Sequence, residues 1–441
     1  MMNPYLTEKL SGSSVPQELD GVLDVPQGLA NCCKFNRWGT YVAVGGNDGR
    51  VYICDIVTKG VVKSWTCHQS PVISLSWSRS GRKLATATAA ANEWSVATWD
   101  VLRGEKIDRF AYSSPIVSAM FNPRDENQLL IVYLSGNPAI EEILPRQKKD
   151  IRMVGVSDEQ FGDITVATFD RRGKYVVVGT SKGRIAFFDS KTVRLVTYVR
   201  QNATHQIRNI IFSRRCDFVI TNSADRIIRA YDLNDILKKQ FGLHIEPVHK
   251  VSDIVNKTAW KAICVSCCGD YVCGASAKLN TLFIWKLSPG ALKQLEGTKG
   301  ELLLDVQWHP SRPIIIALSN VSVSVWTQCH VENWSAFAPE FVELEENTKY
   351  VEKESEFDFE DEDAETSLSQ TSKGLDEVID VVTPSKNLVY YSSDEEDDCV
   401  YEFEDAKRAN RPLWFIPVSP DSEVVDENAP TGFNSMCFCD F

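Results

Sequence analysis

Residues 35–55 read FNRWGTYVAVGGNDGRVYICD, and this stretch decides the fold class. An aromatic residue and a turn precede YVAVGG, which is apolar and contains β-branched residues. A second turn, GNDG, leads into RVYICD, another run of the same character. Two such runs separated by a glycine-containing turn predict a pair of antiparallel strands joined as a hairpin.

The same pattern recurs along the first 330 residues. Each unit begins with an aromatic residue or Val and continues through a turn, an apolar strand, a second turn and a second strand. The six further units are residues 77–100, 121–143, 169–189, 212–232, 265–286 and 308–328. Their starts lie about 42–53 residues apart, which is the period of a WD40-type blade.

A radial arrangement of these units is the expected fold, because one small sheet cannot bury both of its apolar faces alone. We predict an all-β protein with a seven-bladed WD40 propeller at 21–330, after a flexible N-terminus at 1–20. The segment LDGVLDVPQGL, near 20–30, is expected to supply the strand that closes the ring. An eight-bladed ring is the alternative, but it lacks a convincing eighth unit. The third unit is degenerate, and the fifth carries a longer insert.

The propeller sequence contains no recognisable catalytic motif. HExxH, GxSxG and the Walker GxxxxGK[ST] pattern are all absent. His68 is expected to brace its blade through hydrogen bonds, and Asp48 and Asp170 are expected to stabilise turns. Cys264, with its neighbours at 267–268, comes near a metal spacing but is interpreted as a set of buried or half-buried thiols. We therefore predict no enzyme activity, no cofactor and no metal site.

Charge divides the chain into two parts. Residues 340–441 contain 29 acidic and 7 basic residues, whereas residues 1–339 contain 31 acidic and 40 basic residues. The body is thus mildly basic and the tail strongly acidic. The sequence has neither a signal peptide nor an apolar run long enough for a transmembrane helix, so an intracellular location is expected.

Aromatic residues are interleaved with the acids of the tail. Trp334, Phe337 and Phe341 follow the last predicted strand, and further aromatics continue through the acidic box at 350–365. Such anchors among charges favour a peptide that folds onto a basic, apolar partner groove, although a solvated spacer is the simpler alternative. The remainder, 366–441, is predicted to be disordered.

Two short features stand out in that remainder. Small apolar side chains alternate with acids at 375–384, which is typical of a linear binding motif. Ser392 and Ser393 precede five acids and form a candidate site for an acidophilic kinase.

The most specific stretch is VENWSAFAPEFVELEENTKYVEKESEFDFEDED at 331–363. Together with FNRWGTYVAVGGNDGR, NSADRIIRAYD and GTKGELLLDVQWHPSRPIIIALS, it resembles the retinoblastoma-binding protein 5 family. The similarity extends from about residue 20 to 425. Members of this family are WD-repeat subunits of MLL/SET1 (COMPASS-type) histone methyltransferase complexes, so the resemblance implies a location in the nucleus.

The resemblance also implies roles for individual segments. Residues 331–349 correspond to an activation segment against the catalytic SET domain, residues 350–365 to a box that binds the SPRY-domain subunit, and the VIDV stretch to a motif for a second WD-repeat adaptor. Ser355 matches a position that can be phosphorylated. The implied contact residues are Trp334, Phe337, Phe341 and Glu343 for SET-domain activation, Tyr350, Glu354, Ser355, Phe357 and Asp358 for the SPRY subunit, and Glu377, Ile379, Asp380 and Val381 for the adaptor.

A fourth implied partner is the nucleosome. In the family, basic loop residues on one propeller face approach nucleosomal DNA, and here these positions are Arg226, Lys257, Lys278 and Lys299. Three are Lys where the family usually has Arg, but phosphate contacts need charge more than a bidentate fork. Ordinary solvated surface charge is the alternative interpretation.

The expected function is therefore a non-catalytic scaffold that activates a histone H3 lysine-4 methyltransferase. A generic WD40 adaptor or substrate receptor, for example in a ubiquitin ligase with an acidic spacer tail, is the alternative.

Overall fold

The computed structural model describes residues 15–90, 93–152, 162–214, 217–238, 242–252, 258–287, 292–328 and Ile416. The tail segments predicted to bind partners, at 331–349, 350–365 and 375–384, lie outside these residues. No helix among the described residues is long and apolar enough to cross a lipid bilayer.

Seven sheets form within residues 15–328, each built on antiparallel strands, and residues 244–245 add a parallel fifth strand to the fourth sheet. The first strands of most neighbouring sheets contact one another around the central axis, and the second strand of the third sheet contacts the first strand of the fourth. This arrangement is the predicted seven-bladed propeller, including a complete third blade where the sequence repeat is degenerate. Blades one to seven span residues 30–66, 72–111, 116–150, 164–201 with 244–245, 207–232 with 249–251, 260–296, and 303–327 with 18–22.

The strand and helix bounds are as follows. They are β1 (Glu18–Val22), β2 (Ala30–Phe35), β3 (Tyr41–Gly46), β4 (Arg50–Asp55), β5 (Val61–Thr66), β6 (Val72–Trp77), β7 (Lys83–Ala90), β8 (Glu93–Asp100), β9 (Glu105–Ala111), β10 (Ile116–Phe121), β11 (Gln128–Tyr133), β12 (Ala139–Glu142), β13 (Gln147–Asp150), β14 (Ile164–Phe169), β15 (Tyr175–Thr180), β16 (Arg184–Asp189), β17 (Leu195–Gln201), β18 (Ile207–Phe212), β19 (Phe218–Ser223), β20 (Ile228–Asp232), α1 (Leu233–Lys238), β21 (His244–Ile245), β22 (His249–Val251), β23 (Trp260–Val265), β24 (Tyr271–Ser276), β25 (Thr281–Lys286), β26 (Leu292–Glu296), β27 (Leu303–Trp308), β28 (Ile315–Ser319) and β29 (Val323–Thr327).

The N-terminal strand closes the ring. β1 pairs antiparallel with β29 and becomes the outer strand of the seventh blade. It begins at Glu18, three residues before the predicted start of the propeller at 21, and the predicted closing segment at 20–30 is mostly the connection to the first blade. The closing strand was predicted too far along the chain because β1, ELDGV, is largely exposed and lacks an apolar pattern.

One turn is repeated in every blade, directly after the innermost strand. A polar residue follows that strand, and in five blades its side chain accepts the N–H of the first residue of the second strand, as Tyr175 donates to Asp170 Oδ1 at 3.0 Å. In the third and seventh blades the corresponding residue accepts N–H groups inside the turn instead. Asp170 is therefore a turn residue, as predicted. This satisfies an N–H that the sheet ladder leaves unpaired. The residues at this position are Asn36, Ser78, Asn122, Asp170, Ser213, Ser266 and His309.

His309 links the last blade to the first. Its Nδ1 accepts the N–H groups of Ser311 and Arg312 at 3.0 and 2.9 Å, so its Nε2–H donates to the Gly39 carbonyl at 3.0 Å. Gly39 has φ +79°, and a Cβ there would lie 2.2 Å from the imidazole Nε2, so only glycine fits. Burial, with the charge of Arg312, lowers the pKa of His309 to about 4.

His68 braces the second blade, as its position predicted. Its Nδ1 donates to Glu93 Oε1 at 3.1 Å, and the Thr86 hydroxyl donates to its Nε2 at 2.7 Å. The Trp99 indole N–H also reaches the Thr86 oxygen, at 3.0 Å. Burial lowers the pKa of His68, although the Glu93 carboxylate opposes this effect. The ring is therefore neutral and structural.

The thiols near a metal spacing are buried or half-buried, as predicted. Cys264 is buried directly opposite Cys273 in the sixth blade. Burial raises the pKa of the Cys264 thiol well above its ordinary value. Cys267 and Cys268 are half-buried in the turn that follows.

Apolar side chains fill the space between adjacent blades. The cluster between the first two blades includes Ile53, Trp65 and Leu84, all almost completely buried. Ile416 joins this cluster with 1% of its surface exposed, and its N–H donates to the Tyr41 hydroxyl at 3.0 Å. Burying an isoleucine side chain contributes about 1.5–3 kcal/mol, so this contact ties one residue of the segment 366–441 to the propeller.

The predicted insert after the fifth unit adds a strand to its neighbour. After α1, β21 pairs in parallel with β17 of the fourth blade, and β22 then completes the fifth blade. The fourth blade consequently has five strands.

We predict that the free energy of unfolding of the His309→Asn variant falls less than that of the native protein when the pH is lowered. In the native protein His309 stays neutral to about pH 4, while the unfolded chain takes up a proton near pH 6.5. Stability from this group is therefore complete above pH 6.5 and falls as the pH drops toward 4. Urea unfolding at pH 7 and pH 5 should show about 2 kcal/mol less acid destabilisation in the variant.

Asparagine keeps an acceptor for the Ser311 and Arg312 N–H groups but does not titrate. At pH 7 the variant should lose about 1–3 kcal/mol, because the Gly39 carbonyl loses its donor. Equal pH dependence in both proteins would contradict the assignment.

Candidate nucleic-acid interface

The turns of each blade open toward two opposite ends of the ring. Antiparallel order places the turn between the second and third strands at the same end as the connection to the next blade. We call this end the upper face. Its segments include residues 224–227, 277–280 and 297–302.

Three of the four predicted DNA-contact residues lie on the upper face. Arg226 lies between β19 and β20, Lys278 between β24 and β25, and Lys299 between β26 and β27, and all three are exposed. Lys257 lies outside the described residues. The structure therefore brings cations from the fifth, sixth and seventh blade regions to one face.

The Arg226 backbone is held in an unusual conformation. Its φ is +68°, which non-glycine residues rarely adopt. Its N–H donates to Ser223 O at 3.1 Å, and its carbonyl accepts the indole N–H of the buried Trp260 at 2.8 Å. Since Trp260 belongs to the sixth blade, this bond fixes the turn to the neighbouring blade.

The adjacent acid is neutralised within the fold. Both carboxylate oxygens of Asp225 accept hydrogen bonds from the Arg229 guanidinium, and both side chains are largely buried. Burial raises the pKa of Asp225, but the Arg229 bonds and charge outweigh this and hold it below its ordinary value. Arg229 therefore compensates Asp225, and the next residue, Arg226, is exposed.

The two lysine loops are joined through Asn280. Its Nδ2 donates to Thr298 O and to Glu301 Oε2, both at 3.3 Å, and so bridges the loops of Lys278 and Lys299. Ser319 donates to the same Glu301 oxygen at 2.6 Å. Neither lysine forms an ion pair with a described residue. Both ammonium groups are therefore available to an anionic ligand.

The remaining predicted site residues lie outside the described residues. They are Trp334, Phe337, Phe341, Glu343, Tyr350, Glu354, Ser355, Phe357, Asp358, Glu377, Ile379, Asp380, Val381, Ser392 and Ser393.

Similar proteins place the chain in a family. It is 45% identical to retinoblastoma-binding protein homolog 5 of Caenorhabditis elegans, over 96% of this chain and 92% of that protein. The chain belongs to the retinoblastoma-binding protein 5 family. The Drosophila melanogaster homolog is 42% identical over 97% of this chain and 84% of its own length. The Set1 complex component swd1 of Schizosaccharomyces pombe is 32% identical over 82% of this chain and 91% of its own length.

Two further comparisons bear on the fold. The β-propeller domain of Cps50 (Swd1) from Myceliophteria thermophila superimposes with a TM-score of 0.64 at 24% identity, covering 71% of this chain and all of that domain. The family described as the anaphase-promoting complex subunit 4 WD40 domain matches residues 19–80. Both agree with a WD40 propeller.

The Asp225–Arg229 pair and the Trp260 bond were not predicted from the sequence. The spacing in ADRIIR allowed the first, since residues at both ends of a short turn can face each other. The second joins residues of different blades, so only the fold reveals it.

Comparing two substitutions of Arg226 isolates the backbone strain. Both Arg226→Gly and Arg226→Ala remove the side chain, but only glycine adopts φ +68° without cost. We expect the glycine variant to be more stable than the alanine variant by about 1 kcal/mol in urea unfolding. Equal stability would show that the turn relaxes to another conformation.

Proposed function

We propose that this chain is a non-catalytic scaffold and activating subunit of a histone H3 lysine-4 methyltransferase complex. The observation that carries the proposal is the family membership over 96% of the chain, together with the name of its fission-yeast relative, a Set1 complex component. A subunit of this kind works in the nucleus on chromatin.

The scaffold role is supported by the kind of groups on the propeller. Two of the described histidines, His68 and His309, are buried and engaged in hydrogen bonds that hold turns and blades. A general base needs access to substrate, which these rings lack. The chain acts in this proposal by binding, and the partner enzyme performs methyl transfer.

The tail is proposed to hold the partners. Residues 331–349 contact the SET domain, with Phe341 and Glu343 as main contacts, residues 350–365 bind the SPRY-domain subunit, and residues 375–384 bind the WD-repeat adaptor. Aromatic and small apolar anchors among acids suit segments that order on binding. Activation then arises because the bound SET domain populates its competent arrangement more often.

The upper face is proposed to contact nucleosomal DNA. Arg226, Lys278 and Lys299 are exposed on one face, and Lys257 follows β22 in the same part of the chain. Charges on exposed turns suit contacts to phosphate, which position the complex without reading sequence.

A WD40 substrate receptor in a ubiquitin ligase is the second candidate. The match of residues 19–80 to a WD40 domain of the anaphase-promoting complex favours it. That match ends just after β6, whereas the family match covers almost the whole chain, so we prefer the methyltransferase complex. If the chain were such a receptor, deleting residues 331–385 would not abolish the binding of any partner.

Substituting the proposed activation contacts should reduce methylation. In a reconstituted complex, Phe341→Ala with Glu343→Ala should lower the rate on histone H3 by about 5- to 150-fold, because the coupling to the SET domain is lost. The thermal unfolding of the propeller should not change.

A matched substitution in the same tail, Phe403→Ala with Glu404→Ala, lies outside every proposed contact and serves as the control. Full activity of the Phe341/Glu343 variant would reject this mechanism.

Neutralising the exposed upper-face cations should weaken DNA binding in a salt-dependent way. For Arg226→Gln, Lys278→Gln and Lys299→Gln combined, the slope of log affinity against log salt should fall by about 3, since each phosphate contact contributes about 0.9. Fluorescence anisotropy with a DNA duplex measures this slope.

The control removes the same charge from exposed residues away from the upper face, through Lys106→Gln, Lys191→Gln and Arg194→Gln. If both triple variants lose affinity equally, binding follows total charge and the upper face is not the contact.

A further inference from the structure

Two arginines face each other on the fourth blade. Arg184 is the first residue of β16, and Arg200 is the next-to-last residue of β17, and the two are direct partners in the antiparallel register. Directly opposite residues project to the same side of a sheet, with β-carbons about 4.5–5.5 Å apart. The fold thus sets two positive charges side by side.

The pair is half-buried, which makes the repulsion more costly. Burial, with the charge of Arg200, lowers the pKa of Arg184. The Nε of Arg200 is buried without a hydrogen-bond partner in the described part of the chain, and Arg200 forms no ion pair there. Two described acids lie at this end of the sheet: Asp163 precedes β14, two strands away from Arg184, and the exposed Glu246 follows β21.

The insert of the fifth blade adds a third donor. β21 pairs in parallel with β17, which places His244 beside Arg200 in register. The Arg200 N–H donates to Leu243 O at 3.0 Å, so the insert is held against this strand. His244 is exposed. Three adjacent strands therefore carry nitrogen donors on one side of the sheet.

This cluster belongs to the upper face. Arg184 directly follows the turn between β15 and β16, and Arg200 precedes the connection to the fifth blade. Arg226, Lys278 and Lys299 occupy the same face on the blades that follow. A row of cations around one edge fits a linear polyanion better than a single phosphorylated side chain.

We propose that Arg184, Arg200 and His244 form a phosphate site that extends the DNA contact onto the fourth blade. The proposal rests on the nucleosome contact proposed above and names a further part of it. Two adjacent guanidinium groups donate in a planar geometry that matches phosphate oxygens. Phosphate would bring negative charge next to the unpartnered Nε of Arg200.

The test compares two double variants of the full chain. Arg184→Gln with Arg200→Gln removes the pair, whereas Lys191→Gln with Arg194→Gln removes two exposed cations from the turn at the opposite end of the same blade. We expect the first to lower the slope of log DNA affinity against log salt by about 2 and the second to leave it unchanged. Removing the repulsion should keep or raise the unfolding midpoint, so lost binding would not reflect unfolding.

The outcomes separate this site from the proposed function. If the Arg226, Lys278 and Lys299 variant loses DNA affinity but the Arg184 and Arg200 variant keeps its full slope, this inference is overturned and the DNA contact stands. If neither variant differs from the native chain, both are overturned. If the Arg184 and Arg200 variant keeps DNA affinity but loses binding to a phosphoserine peptide, the site serves a phosphopeptide and the DNA assignment fails.

Discussion

Each blade is apolar on both faces, and this constraint organises the whole molecule. All six residues of β11, QLLIVY, are buried, as are all six of β3. A sheet of this kind needs a neighbour on each side, and a closed ring provides one for every sheet. The ring in turn needs a fourth strand for its last blade, which the N-terminal strand supplies. Closure therefore follows from the demand of two-sided burial rather than from any single strong contact.

The sequence was informative where a signal repeats and is local. Apolar runs and turn residues located the blades, and the structural roles of His68 and Asp170 followed from their positions in the repeat. It was weak where one segment pairs with a distant one. β1 is exposed and lacks an apolar pattern, so its identity comes from its partner β29, and Ile416 is buried only because it joins the apolar cluster between the first two blades. No repeating sequence pattern marks either of these two contacts.

The candidate interface shows the same division. The family resemblance located Arg226, Lys278 and Lys299, and the fold places them on one face. It could not show that Arg229 neutralises Asp225, nor that Asn280 joins the two lysine loops. The Arg184–Arg200 juxtaposition depends on the register of β16 and β17 and on a strand borrowed from the next blade. Such features depend on which residues the strand register makes neighbours. The spacing of residues along the sequence does not determine this register.

The pairing of the first strand with the last has a consequence for synthesis. β1 leaves the ribosome early, yet its partner β29 ends at Thr327. At about 5–20 residues per second, β1 must wait roughly 15 seconds to a minute before its backbone groups can be satisfied. During that interval six blades can assemble while the ring stays open at one side. A short strand that carries two acids, such as ELDGV, suits this delay, because charged side chains discourage a wrong strand from pairing with its exposed edge.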